Sequence, residues 1–502
     1  GYGIRRRELR VGILTSRTAE PLVRETLRHV RDVETIVVPL PVPVISILTT
    51  RTIAAMLRTR PDLVAPLSSA DIVLIPGTVS GDAGEISEVV SRPTYKGPKA
   101  LGELPATLSL VARGVRLDPV KSADEVLGSL RPSLTYEEAF KIGDLSVPRR
   151  GPPILIFAEV GPETNIEDVQ RASRRLVSDG ADLIVVGATP SMPPAELAER
   201  VKLARACDRP VLAEASSTAQ IEAALSAGAE GVSVTAEVAL QAVDLLRGEV
   251  VIVSARDLLE AETVEKEMRG SRLIIDPVLD VPPLGMTSSL VRYLEASARL
   301  SSPLLFSAAD VTEDVEADTA GVHGLLALMA VEVRASAYLV VEETYKSYRG
   351  TAEAREAIRL AEQAWTARST ERGMFSRLLI LKQASPPPAI TVNAAAVERV
   401  GYVEPRLATD HYVVVSADHA TGEIVVTLVR DGKAVASVAG RHAMSVARAA
   451  VRRFGLDPEH SAYLGYEVAK AELAIKLGRT YTQDEQVIVT PWERNGGGTN
   501  AK

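Results

Sequence analysis

The amino-acid sequence predicts an α/β protein with a central (β/α)8 barrel of the TIM type. A flavodoxin-like, doubly wound α/β domain precedes the barrel, and a small α+β domain follows it. Short apolar runs alternate with amphipathic segments along most of the chain, which is typical of parallel sheets. Eight such units follow one another at even spacing after Pro153. The expected boundaries are 1–149 for the N-terminal domain, 150–373 for the barrel, 374–389 for a Pro-rich linker, 390–491 for the C-terminal domain and 492–502 for a disordered tail.

The N-terminal domain is predicted from three strands and the helices between them. The strands are Leu9–Ser16, Thr35–Leu40 and Asp71–Pro76, and the helices are Ala19–Val30 and a segment near Thr52–Thr59. The third strand is followed by the loop 76–84, at the carboxyl edge where open α/β sheets bind ligands. The loop contains neither GxGxxG nor GxxxxGK[ST], which excludes the Rossmann and P-loop patterns. A structural loop and a ligand-binding loop both stay open.

The barrel is predicted from eight apolar runs, each followed by a helical segment of roughly 10–20 residues. Glycine often ends a unit, as at Gly180, Gly228, Gly248 and Gly270, which is typical of helix C-caps. The predicted strands are Ile154–Val160, Leu183–Ala188, Val211–Ala215, Gly231–Thr235, Val250–Ser254, Leu273–Val278, Leu304–Ala308 and Ala337–Val341.

The C-terminal domain is predicted as a strand meander with two helices. Asp431-Gly432 is a strong hairpin signal between the second and third strands. The expected elements are strands Tyr412–Ala417, Ile424–Arg430 and Ala434–Val438 and helices Ala443–Arg453 and Ser461–Leu477.

Composition excludes several classes of function. The chain has a net charge of −8 and a pI near 5.6, which argues against binding nucleic acid by neutralising phosphates. No apolar run is long enough to span a bilayer, so no membrane association is expected. The single cysteine, Cys207, excludes an internal disulfide and suits a reducing cytoplasm. Few asparagines beside many arginines and glutamates indicate a thermophilic source.

In a (β/α)8 barrel the functional site lies at the carboxyl ends of the strands. Acidic residues recur there, and converging carboxylates repel one another unless a cation or a donor-rich ligand is bound. A divalent metal such as Mg²⁺ and a planar heterocycle with an N–C–N edge both satisfy this pattern, and helix capping explains part of it. The candidate ligand-binding residues are Glu159, Glu214, Ser233, Asp276, Asp310, Glu342 and Lys346.

Other polar residues are assigned structural roles. The segment 310–318 has no basic residue, so a bare phosphate is disfavoured there without Mg²⁺, and Lys346 and Arg349 are the nearby cations. Packing or capping is expected for His323, and packing for Cys207. The other histidines lack metal-ligand spacing, and no catalytic triad pattern is visible. No catalytic residue and no metal ligand is therefore assigned from the residues alone.

Several of these segments resemble dihydropteroate synthases, and more closely a dihydropteroate-synthase-like family of archaea and some methylotrophic bacteria. Gly180–Gly187 (GADLIVVG) and Ile274–Pro277 (IIDP) are similar to two strand segments of the synthase barrel. The resemblance implies that Asp276 grips the amino-pyrimidine edge of a pterin, with Glu214 and Ser233 beside it. The like-family is matched further by the segments 76–82, 95–101, 310–313, 318–332, 342–350 and 460–485.

The sequence departs from the synthase at three places. The segment 158–163 lacks the synthase's Asn and the loop that helps to hold Mg-pyrophosphate, 306–310 lacks its Ser-Arg-Lys, and Glu342 stands where Arg-x-His is expected. The resemblance therefore favours pterin binding over pyrophosphate displacement.

Three functions stay open at this point, and whether the chain is an enzyme stays open with them. The first is a pterin-binding transferase of folate or tetrahydromethanopterin metabolism, joining a dihydropterin to an aromatic amine. The second is a module that presents a methylated pterin to a corrinoid partner, and the third is a non-catalytic scaffold. The expected partner is a small-molecule pterin, and a homodimer is a further expectation.

Overall fold

A computed structural model describes residues 9–28, 30, 33–112, 114–129, 134–367, 376–382, 398–401 and 411–489 of the chain. Contacts divide the chain into two compact units, Gly1–Ile390 and Thr391–Lys502, and each is described by itself. The predicted linker lies mostly outside the described residues, and the predicted tail at 492–502 lies entirely outside them.

The chain begins with a doubly wound parallel sheet of strand order β2-β1-β3-β4, the flavodoxin-like arrangement that the sequence predicts. One apolar cluster joins α1 and α5 to one face, and a second joins α2 and α4 to the other. The elements are β1 Leu9–Ser16, α1 Glu20–Leu27, β2 Val33–Leu40, α2 Thr50–Thr59, α3 Pro61–Val64, β3 Ile72–Ile75, α4 Gly84–Val90, β4 Thr94–Lys96, α5 Leu104–Ala112 and α6 Ala123–Ser129.

An antiparallel hairpin that the sequence analysis did not anticipate follows this sheet. It consists of β5 (Glu138–Ile142) and β6 (Leu145–Pro148), joined at Gly143 and Asp144. Its side chains Ile142 and Val147 are fully buried in the apolar cluster that fills the interior of the next sheet. The hairpin therefore packs with the barrel, whereas the boundary expected between residues 149 and 150 assigns it to the N-terminal domain.

The (β/α)8 barrel is confirmed. Eight parallel strands run in the order β12-β11-β10-β9-β8-β7-β14-β13, and a parallel bridge from Ile275 to Leu304 closes the ring. Each strand begins and ends within two residues of its predicted bounds. The elements are β7 Leu155–Val160, α7 Val169–Ser178, β8 Leu183–Val186, α8 Pro194–Ala204, β9 Val211–Glu214, α9 Thr218–Ser226, β10 Gly231–Thr235, α10 Ala236–Gln241, β11 Val250–Ser254, α11 Leu258–Glu267, β12 Arg272–Asp276, α12 Met286–Arg299, β13 Leu305–Ser307, α13 Ala309–Asp314, α14 Thr319–Glu332, β14 Ala337–Val340 and α15 Gly350–Ala367.

Two helical segments differ from the prediction. The sequence predicts the fourth barrel helix over Ala236–Arg247, but α10 ends at Gln241 and the backbone makes turns from there to Gly248. The short helix α13 occupies the start of the acidic segment after β13, so that Asp310 lies in a first helical turn. An acidic residue at that position also interacts favourably with the helix dipole.

The second unit contains a three-stranded antiparallel sheet of order β15-β16-β17 and two helices that pack against it through one apolar cluster. The Asp431-Gly432 turn joins the last two strands as predicted, with both residues at positive φ. The elements are β15 His411–Asp418, β16 Glu423–Arg430, β17 Lys433–Gly440, α16 Ala443–Phe454 and α17 Pro458–Leu477. No helix in the described part of the chain is both long and apolar enough to cross a membrane.

Candidate functional site

A layer of polar side chains lines the carboxyl end of the barrel. Side chains alternate across a strand, so the residue two positions beyond an inward-facing apolar residue also faces inward. Leu212, Ile252 and Ile274, for example, belong to the apolar interior. Two residues beyond such an inner residue stand Glu159, Glu214, Ser254, Asp276 and Ser307. Ser233 also faces inward, because its neighbours Val232 and Val234 belong to the cluster on the outer face.

Asp276 is the most strongly positioned carboxylate of this layer. Its Oδ1 accepts hydrogen bonds from Val278 N at 2.8 Å, Ser307 Oγ at 2.9 Å and Tyr293 Oη at 3.1 Å. Its Oδ2 has a 3.5 Å contact with Ser254 Oγ, at the outer limit of a hydrogen bond. The residue is 6% exposed, and burial raises the pKa of its carboxyl group. The hydrogen-bond donors lower the pKa, but their effect is smaller than that of burial. Oδ1 is thus held by three donors, whereas Oδ2 has one long contact.

Glu159 and Glu214 lie on either side of β8. Glu159 Oε1 rests over Gly187, where a Cβ would approach it to 2.5 Å, so a larger residue at this position would displace the carboxyl group. Burial, with the charges of Glu214 and Glu343, raises the pKa of Glu159 to about 9. Burial also raises the pKa of Glu214, although Ala188 N donates to it at 3.3 Å. At neutral pH the Glu159 carboxyl group is protonated and can donate a hydrogen bond.

Two further acidic residues complete the acidic rim, which we define as Glu159, Glu214, Asp310 and Glu343. Burial and nearby carboxylates, Glu163 among them, raise the pKa of Glu343. Burial and Asp314 raise the pKa of Asp310, and Arg256 lowers it. The mutual influence of these groups on their pKa values shows that they share one electrostatic environment, in which each negative charge disfavours the next.

Positive charge near the rim is already paired. Arg256 forms an ion pair of 2.8 Å with Asp280, and Arg292 reaches the other oxygen of Asp280 at 3.0 Å. Lys346 Nζ donates to Val315 O at 2.8 Å and lies 3.7 Å from Glu316. Lys346 therefore ties down the segment after β13, which is a different role from the ligand contact expected from the sequence.

Glu342 is not brought to the acidic rim, which corrects its place among the candidates. Its carboxylate pairs with Arg175 at 2.7 Å and accepts from the backbone N–H groups of Arg349 and Thr351 near the start of α15. The neighbouring Glu343 faces the rim instead. Of the other six candidates, the structure brings together Glu159, Glu214, Ser233, Asp276 and Asp310, whereas Lys346 is held at the adjoining loop.

The residues given packing roles by the sequence are buried. His323 donates or accepts through Nδ1 at 2.8 Å from Tyr338 Oη, and burial lowers its pKa to about 3. Cys207 is buried, and its Sγ contacts Arg209 O at 3.8 Å. Neither residue lies among the strand-end groups.

The candidate set leaves out four members of the site: Glu343, Ser254, Ser307 and Tyr293. Glu343 and Ser254 stand at predicted strand ends, whereas Ser307 and Tyr293 were not recognised from the sequence. The first three follow from alternation along their strands, since Leu339, Ile252 and Leu305 face the interior. Tyr293 comes from α12, and nothing in its local sequence indicates that its hydroxyl reaches Asp276.

The loops that follow the barrel strands also form a cavity. A cavity of about 410 Å³ lies between the loops after β7 and β8, lined among others by Glu163, Thr189 and Met192. Among the described residues no group of three or more His, Cys, Asp or Glu side chains is arranged to hold a metal ion. The arrangement offers carboxyl groups and hydroxyls for hydrogen bonding to a neutral or donor-rich organic molecule.

The fold and this rim define a (β/α)8 barrel protein with an acidic strand-end site. A family model described as PterinBD-DUF4346 matches residues 403–484, in the second unit of the chain. The match supports the resemblance to a dihydropteroate-synthase-like, pterin-binding family that the sequence indicated. A relative from Methanocaldococcus jannaschii, named uncharacterized protein MJ0107, is 22% identical over 456 residues, which cover 82% of this chain and 86% of that protein.

Solved structures similar to part of the chain include two dihydropteroate synthases. DHPS of Yersinia pestis with a pterine-sulfa conjugate has a TM-score of 0.36 and 17% identity, covering 47% of this chain and 98% of that one. Dihydropteroate synthase from Xanthomonas albilineans in complex with 7,8-dihydropteroate has a TM-score of 0.33 and 20% identity, covering 43% and 92%.

Proposed function

We propose that the carboxyl end of the barrel binds a reduced pterin. The observation that carries this proposal is the state of Asp276, whose Oδ1 accepts three hydrogen bonds while Oδ2 has a single long contact. A pterin presents adjacent N–H donors along its amino-pyrimidine edge. A buried carboxylate fixed by one oxygen is suited to accept from such an edge with the other.

The remaining groups of the site suit the same ligand. Ser254 and Ser307 hold the Asp276 carboxylate, and the protonated Glu159 carboxyl can donate to an acceptor atom of the ring system. A neutral, donor-rich molecule also reduces the repulsion among the rim carboxylates without bringing in more negative charge. The resemblance to pterin-binding proteins supports this assignment.

The experiment is a calorimetric titration of the full chain with 6-hydroxymethyl-7,8-dihydropterin. We expect saturable binding that Asp276→Asn weakens roughly 10- to 100-fold, because a hydrogen bond to a charged acceptor is lost. Asp280→Asn is the matched control, since that carboxylate pairs with Arg256 and Arg292. Its affinity should stay within about twofold of the wild type. Absence of saturable binding, or equal weakening in both variants, would contradict the proposal.

The reaction that we propose at this site is transfer of the pterin to an aromatic amine, in folate or tetrahydromethanopterin metabolism. Incubating the protein with the pyrophosphate ester of the same pterin, Mg²⁺ and 4-aminobenzoate should then release pyrophosphate and form dihydropteroate. The displacement forms a C–N bond at the pterin methylene and breaks the C–O bond to pyrophosphate. Failure of this reaction with pterin binding intact leaves the binding proposal standing and removes the condensation.

One observation favours a second function, presentation of a methylated pterin for methyl transfer to a corrinoid partner. The described rim is acidic, and its neighbouring cations, Arg256 and Lys346, are already paired. Such a rim is unfavourable for pyrophosphate but compatible with a neutral pterin carrying a methyl group. Methyl transfer from a methyltetrahydropterin to cob(I)alamin, in the absence of condensation, would support this function over the first.

A further inference from the structure

We propose that the N-terminal domain contains a second ligand site, for a small, largely apolar aromatic molecule with one hydrogen-bonding group and no phosphate. The site is a cavity of about 440 Å³ at the carboxyl edge of the four-stranded sheet. Cavities that bind small organic ligands have volumes of about 300–1,000 Å³. The proposal does not depend on the function of the barrel.

The position of this cavity follows from the topology of the sheet. In the strand order β2-β1-β3-β4, β2 lies beside one edge of β1 and β3 lies beside the other. The helices α1 and α2, which follow β1 and β2, pack on opposite faces of the sheet. The loops after β1 and β3 therefore separate, and a crevice opens between them. Thr15 and Ser16 at the end of β1 and Ile75 and Pro76 at the end of β3 line the cavity.

The walls of the cavity are mainly apolar. They are formed by side chains such as Leu22 and Val23 of α1, Leu74 of β3 and Leu104 at the start of α5, with Val44 and Ile45 on the loop after β2. That loop is fastened by a 2.7 Å hydrogen bond between the hydroxyls of Ser46 and Thr78. Walls of this kind favour a hydrocarbon or aromatic body in the ligand.

One hydroxyl of the cavity wall, that of Thr15, indicates a polar group on the ligand. Thr15 is 3% exposed and lines the cavity, yet no hydrogen bond to another described residue engages its Oγ1. By contrast, the Ser16 hydroxyl accepts from Ala19 N, and Ser46 and Thr78 bind each other. This hydroxyl has no partner in the described protein and faces the cavity, so a donor or acceptor on a ligand can hydrogen-bond to it.

The charges of the cavity exclude a phosphorylated ligand. Among the lining residues that the structure describes, Lys99 has the one charged side chain, and its Nζ lies 3.0 Å from Glu125. Glu20 lies in the first turn of α1, and its negative charge would repel an anion bound at that end of the helix. A nucleotide or sugar phosphate would therefore meet little compensating positive charge here.

The test is calorimetric titration of the full chain with two probes, indole and 2-naphthol, each an aromatic molecule with one hydrogen-bond donor. AMP and inorganic phosphate are titrated in parallel. We expect saturable binding of at least one aromatic probe at one site per chain. Leu22→Trp, which places a large side chain into the cavity, should weaken binding at least 20-fold, and Thr15→Val at least fivefold.

Two control variants distinguish binding in this cavity from binding elsewhere on the chain. Thr59→Val replaces an exposed threonine at the end of α2, outside the cavity lining, and should leave affinity within twofold of the wild type. Asp276→Asn in the barrel should also leave it unchanged, and thermal transitions check that each variant is folded. The proposal is overturned if neither aromatic probe binds saturably to the wild type, if Thr15→Val and Leu22→Trp both retain full affinity, or if AMP binds more tightly than both probes and competes with them.

Discussion

The two ends of the barrel differ in the chemistry of their side chains. At the amino end, the β5–β6 hairpin places Ile142 and Val147 against the barrel interior, and the layer is apolar and closed. At the carboxyl end, the next inward positions on the same strands hold carboxyl groups whose pKa values are raised by burial, such as Glu159 and Asp276. A shift of two residues along a strand, from Phe157 to Glu159, crosses from one environment to the other.

The two ends contribute to the stability of the protein with opposite signs. Burying apolar side chains at the amino end is favourable, whereas burying several carboxyl groups at the carboxyl end is not. Such a division is typical of barrels in which the strand ends serve a function and the opposite end serves the fold. This division can be tested through the stability of the protein.

Truncating the apolar end should have the largest effect. Phe157→Ala removes a fully buried ring from the barrel interior and leaves a cavity, which should lower the free energy of unfolding by about 3–5 kcal/mol. Denaturant titration followed by circular dichroism measures it. A loss below about 1 kcal/mol would mean that the amino end is not the stabilising end.

The adjacent residues Glu342 and Glu343 form a matched pair. Glu342→Gln should lower the free energy of unfolding by about 1–3 kcal/mol, because Arg175 and the backbone donors near α15 lose a buried charged acceptor. Glu343→Gln should be neutral or stabilising, because it removes one of the mutually repelling rim charges. The same denaturant titration compares the two, and the reverse order of stabilities would place the wrong glutamate at the rim.

The pH dependence of stability tests the environment of the Glu159 carboxyl group directly. In the folded state the pKa of Glu159 is raised to about 9 from 4.5, so between these values the folded state holds a proton that the unfolded state has released. Stability should therefore fall as pH rises through this window, by about 1 kcal/mol per pH unit from this group.

Glu159→Gln should remove that slope, so that its stability relative to the wild type increases from pH 5 to pH 8. Unfolding experiments at several pH values measure the difference. Parallel curves for the two proteins would show that the Glu159 carboxyl group is ionised in the folded state.

The smallest effect is expected at Lys346. Lys346→Met loses the hydrogen bond to Val315 O and a partly exposed ion pair, so the free energy of unfolding should fall by less than about 1 kcal/mol. Pterin affinity should change less than twofold, since the side chain is engaged by the adjoining loop. A tenfold loss of affinity would restore Lys346 as a ligand contact.

The sequence predicted the barrel strands well because each is buried on both faces and reads as an uninterrupted apolar run. The hairpin β5–β6 was missed, although Gly143-Asp144 between Phe140, Ile142, Leu145 and Val147 is a hairpin signal. Each strand of the hairpin is short, so its alternation of apolar and polar residues gives a weak signal. The surface that its apolar residues pack against, the barrel interior, is visible only in the structure.

The site was predicted as far as strand ends could be located. Asp276 and Glu214 terminate their strands, so their positions follow directly from the apolar runs. Choosing between Glu342 and Glu343 required knowing which residues of β14 face the barrel interior. Ala337 and Leu339 do, and because side chains alternate, Glu343 lies on the same side as they do. The partners of Asp276 from α12 and β13 come from tertiary packing and have no local signature.

The hairpin beneath the barrel also affects how the chain can be divided. A fragment beginning at Gly151 would lose Ile142 and Val147, and the apolar floor around Leu155 and Phe157 would face water and invite aggregation. Fragments that begin ahead of Glu138 keep this floor. Experiments that separate the barrel from the preceding sheet should therefore cut the chain before the hairpin, and a loss of solubility in shorter fragments should not be taken as dependence on the whole N-terminal domain.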